Sequence, residues 1–135
     1  MSRLILAVLL AAALPSHAAD LTIRVEGVAN AQGDVKVAVF NSAATFLAKP
    51  VRGAAAPAQE GTVQLTVSGL PAGEYALAVY HDENSNGQMD RNAMGMPTED
   101  YAFSNNAMGK RGAPRYEEAR TPLPEAGAAT TINLR

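Results

Sequence analysis

The chain contains no cysteine. That removes disulfides, thiolate metal ligands and thiol nucleophiles, so stability must come from packing, strand pairing and any ion the chain holds. Charge of one sign is also scarce: 11 Lys and Arg stand against 13 Asp and Glu, with no basic stripe. Nucleic acid is therefore not an expected partner, and nothing polybasic points to a membrane surface. The GxSxG nucleophile turn and the spacing of a Walker phosphate loop are both missing. Beyond the first 18 residues no apolar run is long enough to cross a bilayer.

What is present starts with an export signal. Arg3 gives a positive start, residues 4–14 form an apolar run too short to span a membrane, and Ser16-His17-Ala18 ends in small residues a signal peptidase accepts. Residues 1–18 are expected to be a cleaved leader and residues 19–135 a single domain of a periplasmic or secreted protein. Losing Arg3 with the leader would take the net charge from −2 to −3. No cysteine follows the apolar run, so an N-terminal lipid anchor on cysteine is not expected.

The mature segment reads as strands. Residues 21–26, 34–40, 62–67 and 129–134 alternate apolar with polar, the pattern of half-buried strands. Residues 21–26 and 34–40 are expected to pair as a hairpin across a turn holding Asn30 and Gly33. Ser42 is a plausible cap for a short helical turn carrying Phe46 and Leu47, and the Ala-rich stretch around residues 54–57 reads as loop. Residues 74–81 are apolar on both faces, which favours a central strand. A span without clear periodicity follows from residue 82 to 125, with one helical turn expected at 117–120. These features give an all-β fold: an antiparallel β-sandwich of immunoglobulin-like or transthyretin-like shape with one long ordered loop.

The run Asp82-Glu83-Asn84-Ser85-Asn86-Gly87-Gln88-Met89-Asp90 opens that span. Asp82, Asn84, Asn86 and Asp90 fall on the first, third, fifth and ninth places of an EF-hand calcium loop, with Gly87 on the sixth. Asp82, Asn84 and Asn86 can each give a side-chain oxygen, Gln88 its backbone carbonyl, and Asp90 a carboxylate. A strand rather than a helix precedes the loop, and Ala93 stands where the closing glutamate belongs. Glu99 or Asp100, folded back, could complete the set, as could Asn92 or water. Calcium of weak affinity, on the order of 10⁻⁴–10⁻³ M, is the expected cofactor. The competing reading is a turn closed by Asx hydrogen bonds with no ion. Zinc is not expected, since His81 is the single histidine after the leader.

Other groups carry less. His81 beside Asp82 suggests an acid/base pair, but adjacent strand residues face opposite ways, and a strand-end histidine capping a loop is the simpler reading. Gly109, Lys110, Arg111 and Gly112 form a basic turn that could hold an anion or merely be solvated. Met89, Met94, Met96 and Met108 could bind copper(I), although gap-filling is the commoner role of methionine. Tyr101, Phe103 and Tyr116 are expected to pin the long span against the sandwich or to line a binding surface.

The blocks LPAGEY at 70–75, HDENSNGQMD at 81–90, GMP at 95–97, EDYAFSNN at 99–106 and GAP at 112–114 resemble the small exported bacterial proteins of domain-of-unknown-function family 2141. The resemblance covers nearly the whole mature chain and implies no activity. The LPAGEY turn and strand is also similar to transthyretin-like and collagen-binding-protein B-type sandwiches of surface proteins, some of which carry aspartate-asparagine calcium loops. That similarity implies the sandwich and the ion, not a function. Ser104, Asn105 and Asn106 beside Phe103 could bind sugars or extended peptides, or could satisfy backbone groups of their own loop. The sequence thus favours a non-enzymatic binding or envelope-associated module with a protein or glycan partner. Its alternative is a small hydrolase or isomerase using His81 with nearby carboxylates.

Overall fold

The computed structural model describes residues 18–109 and 112–134. Residues 1–17 of the expected leader, and Lys110 and Arg111 of the basic turn, lie outside the described residues. The elements in chain order are β1 (Ala18–Val28), β2 (Asp34–Phe40), β3 (Arg52–Pro57), β4 (Gly61–Pro71), β5 (Gly73–Asp82) and β6 (Tyr101–Phe103). A 3₁₀ turn (Ser104–Asn106), one helical turn α1 (Tyr116–Ala119), β7 (Thr121–Leu123) and β8 (Ala128–Asn133) follow. They form an all-β sandwich of two sheets. One has the order β4-β1-β8; the other has the order β3-β2-β5-β6, with β7 also pairing β5.

The alternation seen in the sequence is the physical basis of the core. Leu21, Ile23 and Val25 of β1 and Val35, Val37 and Val39 of β2 are almost fully buried between the sheets. They meet Val63, Leu65 and Val67 of β4, Leu77 and Val79 of β5, and Ile132 of β8 in one cluster. Each such side chain contributes roughly 1.5–3 kcal/mol on burial.

Two expectations about the strands are corrected. β1 and β2 do not form a hairpin: β1 pairs β4 and β8, and β2 pairs β3 and β5. Both strands point their apolar residues at the same core from opposite sheets, and a period-2 pattern specifies a buried face, not a pairing partner. The antiparallel-rich sandwich includes one parallel pair, β1 with β8, from Leu21↔Ala128 to Glu26↔Asn133. The stretch around residues 54–57 is no loop but edge strand β3, and Arg52 ties it to the other sheet through Ser68 O and Gly69 O, both at 3.4 Å. Alanines carry little strand signal, yet they suit an edge with few side-chain neighbours.

β5 is central, as its two apolar faces require: it lies between β2 and β6 and also carries β7. Its inward face holds Leu77 and Val79. Its outward face carries Ala76 and Ala78, covered by a second cluster of Phe103, Ala119, Phe46, Tyr101 and Tyr116. Phe46 is the hub, with ring centroids 5.4 Å from Phe40, 6.4 Å from Phe103 and 5.9 Å from Tyr116, all edge-on. The expected helical turn around Phe46 is instead a set of turns in which Leu47 has φ 61°. Ser42 bonds the Thr45 hydroxyl at 2.7 Å rather than a backbone amide.

Candidate functional site

The segment from residue 82 to 100 leaves the end of β5 and returns to start β6. Asp82 has no exposed surface. Its Oδ1 accepts the Asn86 amide at 3.2 Å and its Oδ2 the Gly87 amide at 2.8 Å. The Lys36 ammonium, reaching over from β2, stands 3.6 Å from Oδ2. A buried carboxylate needs such partners, because desolvation would otherwise favour its neutral form. Gly87 sits at φ 77°, where glycine is free of strain.

The next side chains converge on Asp90. Asn84 Nδ2 donates to one Asp90 carboxylate oxygen at 2.5 Å and Asn86 Nδ2 to the other at 2.6 Å. The amide oxygens of Asn84 and Asn86 accept the amides two residues on, at 3.3 and 3.0 Å, as Asx turns do. Gln88 thus enters through its backbone N–H, and its side chain is exposed.

Glu99 folds back, and it does so as a strap. Oε2 accepts the Glu83 amide and Oε1 the Asp90 amide, each at 2.9 Å, joining both ends of the Asp loop through one buried carboxylate. Asp100 contributes its carbonyl, which accepts the His81 amide at 2.9 Å and extends the β5–β6 ladder. Asn92, the other candidate donor, closes a tight turn by accepting the Met94 and Met96 amides, each at 3.0 Å. Asp82, Asn84, Asn86, Asp90 and Glu99 are therefore brought into one hydrogen-bonded unit. Among the described residues no three acidic or histidine side chains form a group that could hold a metal ion.

His81 points the other way, to the core side of β5, and is fully buried. Nε2 lies 2.6 Å from Gln32 O, fastening the connection between β1 and β2. A Cβ on Gly33 would come within 2.0 Å of Asp82 O, so only glycine permits that close approach. Nδ1 is buried without a hydrogen bond, 3.9 Å from a Glu83 carboxylate oxygen. The histidine caps a loop.

The second sequence candidate, residues 103–106, is also built into the backbone. Ser104, fully buried, accepts the Leu77 amide at 2.9 Å and donates to Ala119 O, clamping β5 to α1. Asn105 Nδ2 donates to Arg120 O at 2.8 Å, and Asn106 Oδ1 accepts the Asn133 amide at 2.9 Å. These side chains satisfy backbone groups of neighbouring segments, as the second of the two sequence readings has it.

Sequence pattern marked the groove beside these tethers only through Tyr101 and Phe103, offered as residues of a binding surface. The groove lies on the outward face of the large sheet, about 840 Å³ in volume. Ala38 and Ala78 are among its small lining residues, with Phe40 and Leu47 from one side and Met89 and Met96 from the other. Leu47 and Met96 are 44% and 60% exposed. A smaller hollow of about 200 Å³ adjoins it, sharing Tyr101, Phe103 and Gly112. Tyr80 sits in the groove with its phenol pushed above the ordinary range, by burial first and then by the carboxylates of Asp82, Glu99 and Asp90. Tyr101 and Phe103, offered by the sequence as residues of a binding surface, do line the groove, as do Met89 and Met96; the contributions of Ala38, Ala78 and Leu47 carried no such signal.

The fold and site define an all-β sandwich whose long loop is tethered by its own side chains. Residues 23–133 match the family described as uncharacterized protein conserved in bacteria (DUF2141), and the chain belongs to that family. No curated protein and no solved structure matches it. Among the described residues no helix is long and apolar enough to cross a membrane.

Proposed function

We propose that the protein is an exported, non-enzymatic binding module of the cell envelope, which takes an apolar ligand on the outward face of its large sheet. The groove of about 840 Å³ carries this reading. Small-molecule sites commonly span roughly 300–1,000 Å³ and are walled by apolar and aromatic side chains with a few polar groups. Exposed apolar side chains gathered on a concave surface mark interaction sites. Catalysis would require titratable groups converging in the same cavity. The His81 ring instead lies on the opposite side of β5, bonded to a carbonyl, and the Asp82 and Glu99 carboxylates hold backbone amides. That arrangement favours binding over the hydrolase or isomerase alternative.

The test is a titration of the folded protein with an uncharged apolar dye whose fluorescence rises on leaving water. One-to-one saturable binding is expected, weakened at least about tenfold by Leu47→Asp combined with Met96→Asp. Both positions are exposed, and Asp tolerates the positive φ of Leu47. Dye that fails to saturate on a folded protein would sink the reading.

A second reading concerns what holds the groove's wall. We infer a weak calcium site formed by Asp82, Asn84, Asn86 and Asp90 with the Gln88 carbonyl. The favouring observation is the gathering of Asp82, Asn84, Asn86 and Asp90 into one unit; the two asparagine NH₂ groups that meet Asp90 would have to turn away and present their oxygens to the ion. The donors fit calcium in type, being oxygens only. Their number falls short of the usual six to eight, and Lys36 competes for Asp82. An ion would take over the role of the two N–H···O bonds in holding the loop. Thermal melts in millimolar calcium and in chelator test it: wild type should melt higher with calcium, and Asn84→Ala and Asn86→Ala should close the gap. Coincident curves for the wild type would remove calcium from the account.

A further inference from the structure

Resting on the groove reading above, we propose that the ligand is a single-chain anionic amphipath of the fatty-acid class, its tail in the groove and its carboxylate on Arg91. Three observations lead there. Arg91 is the one charged side chain among the described residues that line the groove, and no acidic side chain lines it. Its guanidinium is exposed, and a single bond, Nη1 to Gly95 O at 3.1 Å, positions it. That bond and the Arg91↔Pro97 bridge fix the arginine on the wall and leave its other donors for a planar anion, which a guanidinium binds in two-pronged fashion.

Asp90 is engaged by Asn84 and Asn86 and forms no ion pair with Arg91. The positive charge at the groove is therefore not neutralised by its sequence neighbour. The shape selects the rest of the ligand. Two adjoining hollows share Tyr101, Phe103 and Gly112, so the apolar lining continues from one into the other. Its small-residue lining, Ala38 and Ala78, admits a flexible chain close to the sheet, and Met89 and Met96 are side chains that adapt to such a chain. Among the described residues the lining is apolar with one cation, and the carboxylates that act on Tyr80 are not part of that lining, so a tail bearing one negative head at Arg91 fits it.

The experiment compares dodecanoate, dodecanol and dodecyltrimethylammonium, each below its micellar concentration, by displacement of the uncharged dye. Dodecanoate should bind wild type about tenfold more tightly than dodecanol, and the cation should bind weakest. Arg91→Gln, at an exposed position, should bring dodecanoate to the level of dodecanol without moving the dodecanol value or the melting temperature. If wild type binds dodecanoate and dodecanol equally, the head-group inference is overturned and the apolar groove stands. If neither displaces the dye from folded protein, the inference falls while dye binding keeps the groove reading. If the dye itself does not bind, or a ligand-independent dimer buries the groove in sedimentation, both readings fall together.

Discussion

The ammonium of Lys36 stands 3.6 Å from the fully buried carboxylate of Asp82, across the β2–β5 pair. It is the charge partner of the residue on which the loop turns. Lys36→Met should destabilise the protein by about 1–2 kcal/mol, because Asp82 keeps two amide bonds but loses its counter-charge. The same change should enlarge the calcium-dependent rise in melting temperature, since the internal cation no longer competes with the metal. Denaturant melts of the variant in calcium and in chelator measure both effects. A variant that loses stability but gains no calcium response would leave Lys36 as a structural partner alone.

Glu99 joins the amides of Glu83 and Asp90 with its two oxygens. Glu99→Gln keeps the shape but puts an NH₂ against one of those N–H groups, leaving a buried donor unpaired. A cost of about 1–3 kcal/mol follows from that orphan. Hydrogen exchange should locate the damage: the Glu83 and Asp90 amides should lose protection while β1 and β4 amides keep theirs. Uniform loss across both sheets would mean that Glu99 supports the whole fold rather than the loop.

Ser104 performs a comparable task on the other side of the groove. Its hydroxyl pairs the Leu77 amide with the Ala119 carbonyl, and among the described residues no other side chain bonds both. Ser104→Ala should cost about 2–4 kcal/mol, the sum of two buried backbone groups losing a partner. The expected signature is a lower denaturant midpoint together with weaker dye binding, because α1 and the aromatic cluster around Phe103 would loosen. A midpoint equal to wild type would show that water replaces the hydroxyl.

Strand content was readable because burial imposes a period of two on the chain. Residues 34–40 alternate in sequence and coincide with β2, and the two-faced apolar run at 74–81 announced the central strand β5. Partner choice was not readable: the alternation in β1 fits a hairpin with β2 as well as the observed pairing with β4 and β8. Strand β3 escaped notice because Arg-Gly-Ala-Ala-Ala-Pro offers no β-branched or aromatic residue.

The site was legible in part for a related reason. Asp82, Asn84, Asn86 and Asp90 are close in sequence, so spacing alone could place them together. Ser104 and its partner Leu77 are 27 positions apart, and no local pattern connects them. The groove is harder still. It is a space left between β2, β5 and returning loops; Tyr101 and Phe103 were offered as binding-surface residues, but nothing local joins them to Ala38, Phe40 or Leu47.

Tyr80 reports on the charge of the loop from inside the groove. Burial first, and then the carboxylates of Asp82, Glu99 and Asp90, push its phenol above the ordinary value of 10.0. A raised folded pKa means that the contribution of Tyr80 to stability is fully present below about pH 10 and is lost as pH rises through the folded value. Tyr80→Phe should therefore make the alkaline loss of stability shallower, measured relative to each protein's own stability at neutral pH. Tyr75 and Tyr116 are also raised, so the Tyr80 titration is taken as the difference between wild type and Tyr80→Phe. Calcium bound at Asp82 and Asp90 would offset two of the charges that raise the phenol, and the Tyr80 transition should then move to lower pH. Spectrophotometric titration with and without the metal reads this directly. A transition that does not move, on protein whose melting temperature calcium does raise, would place the ion elsewhere than the loop.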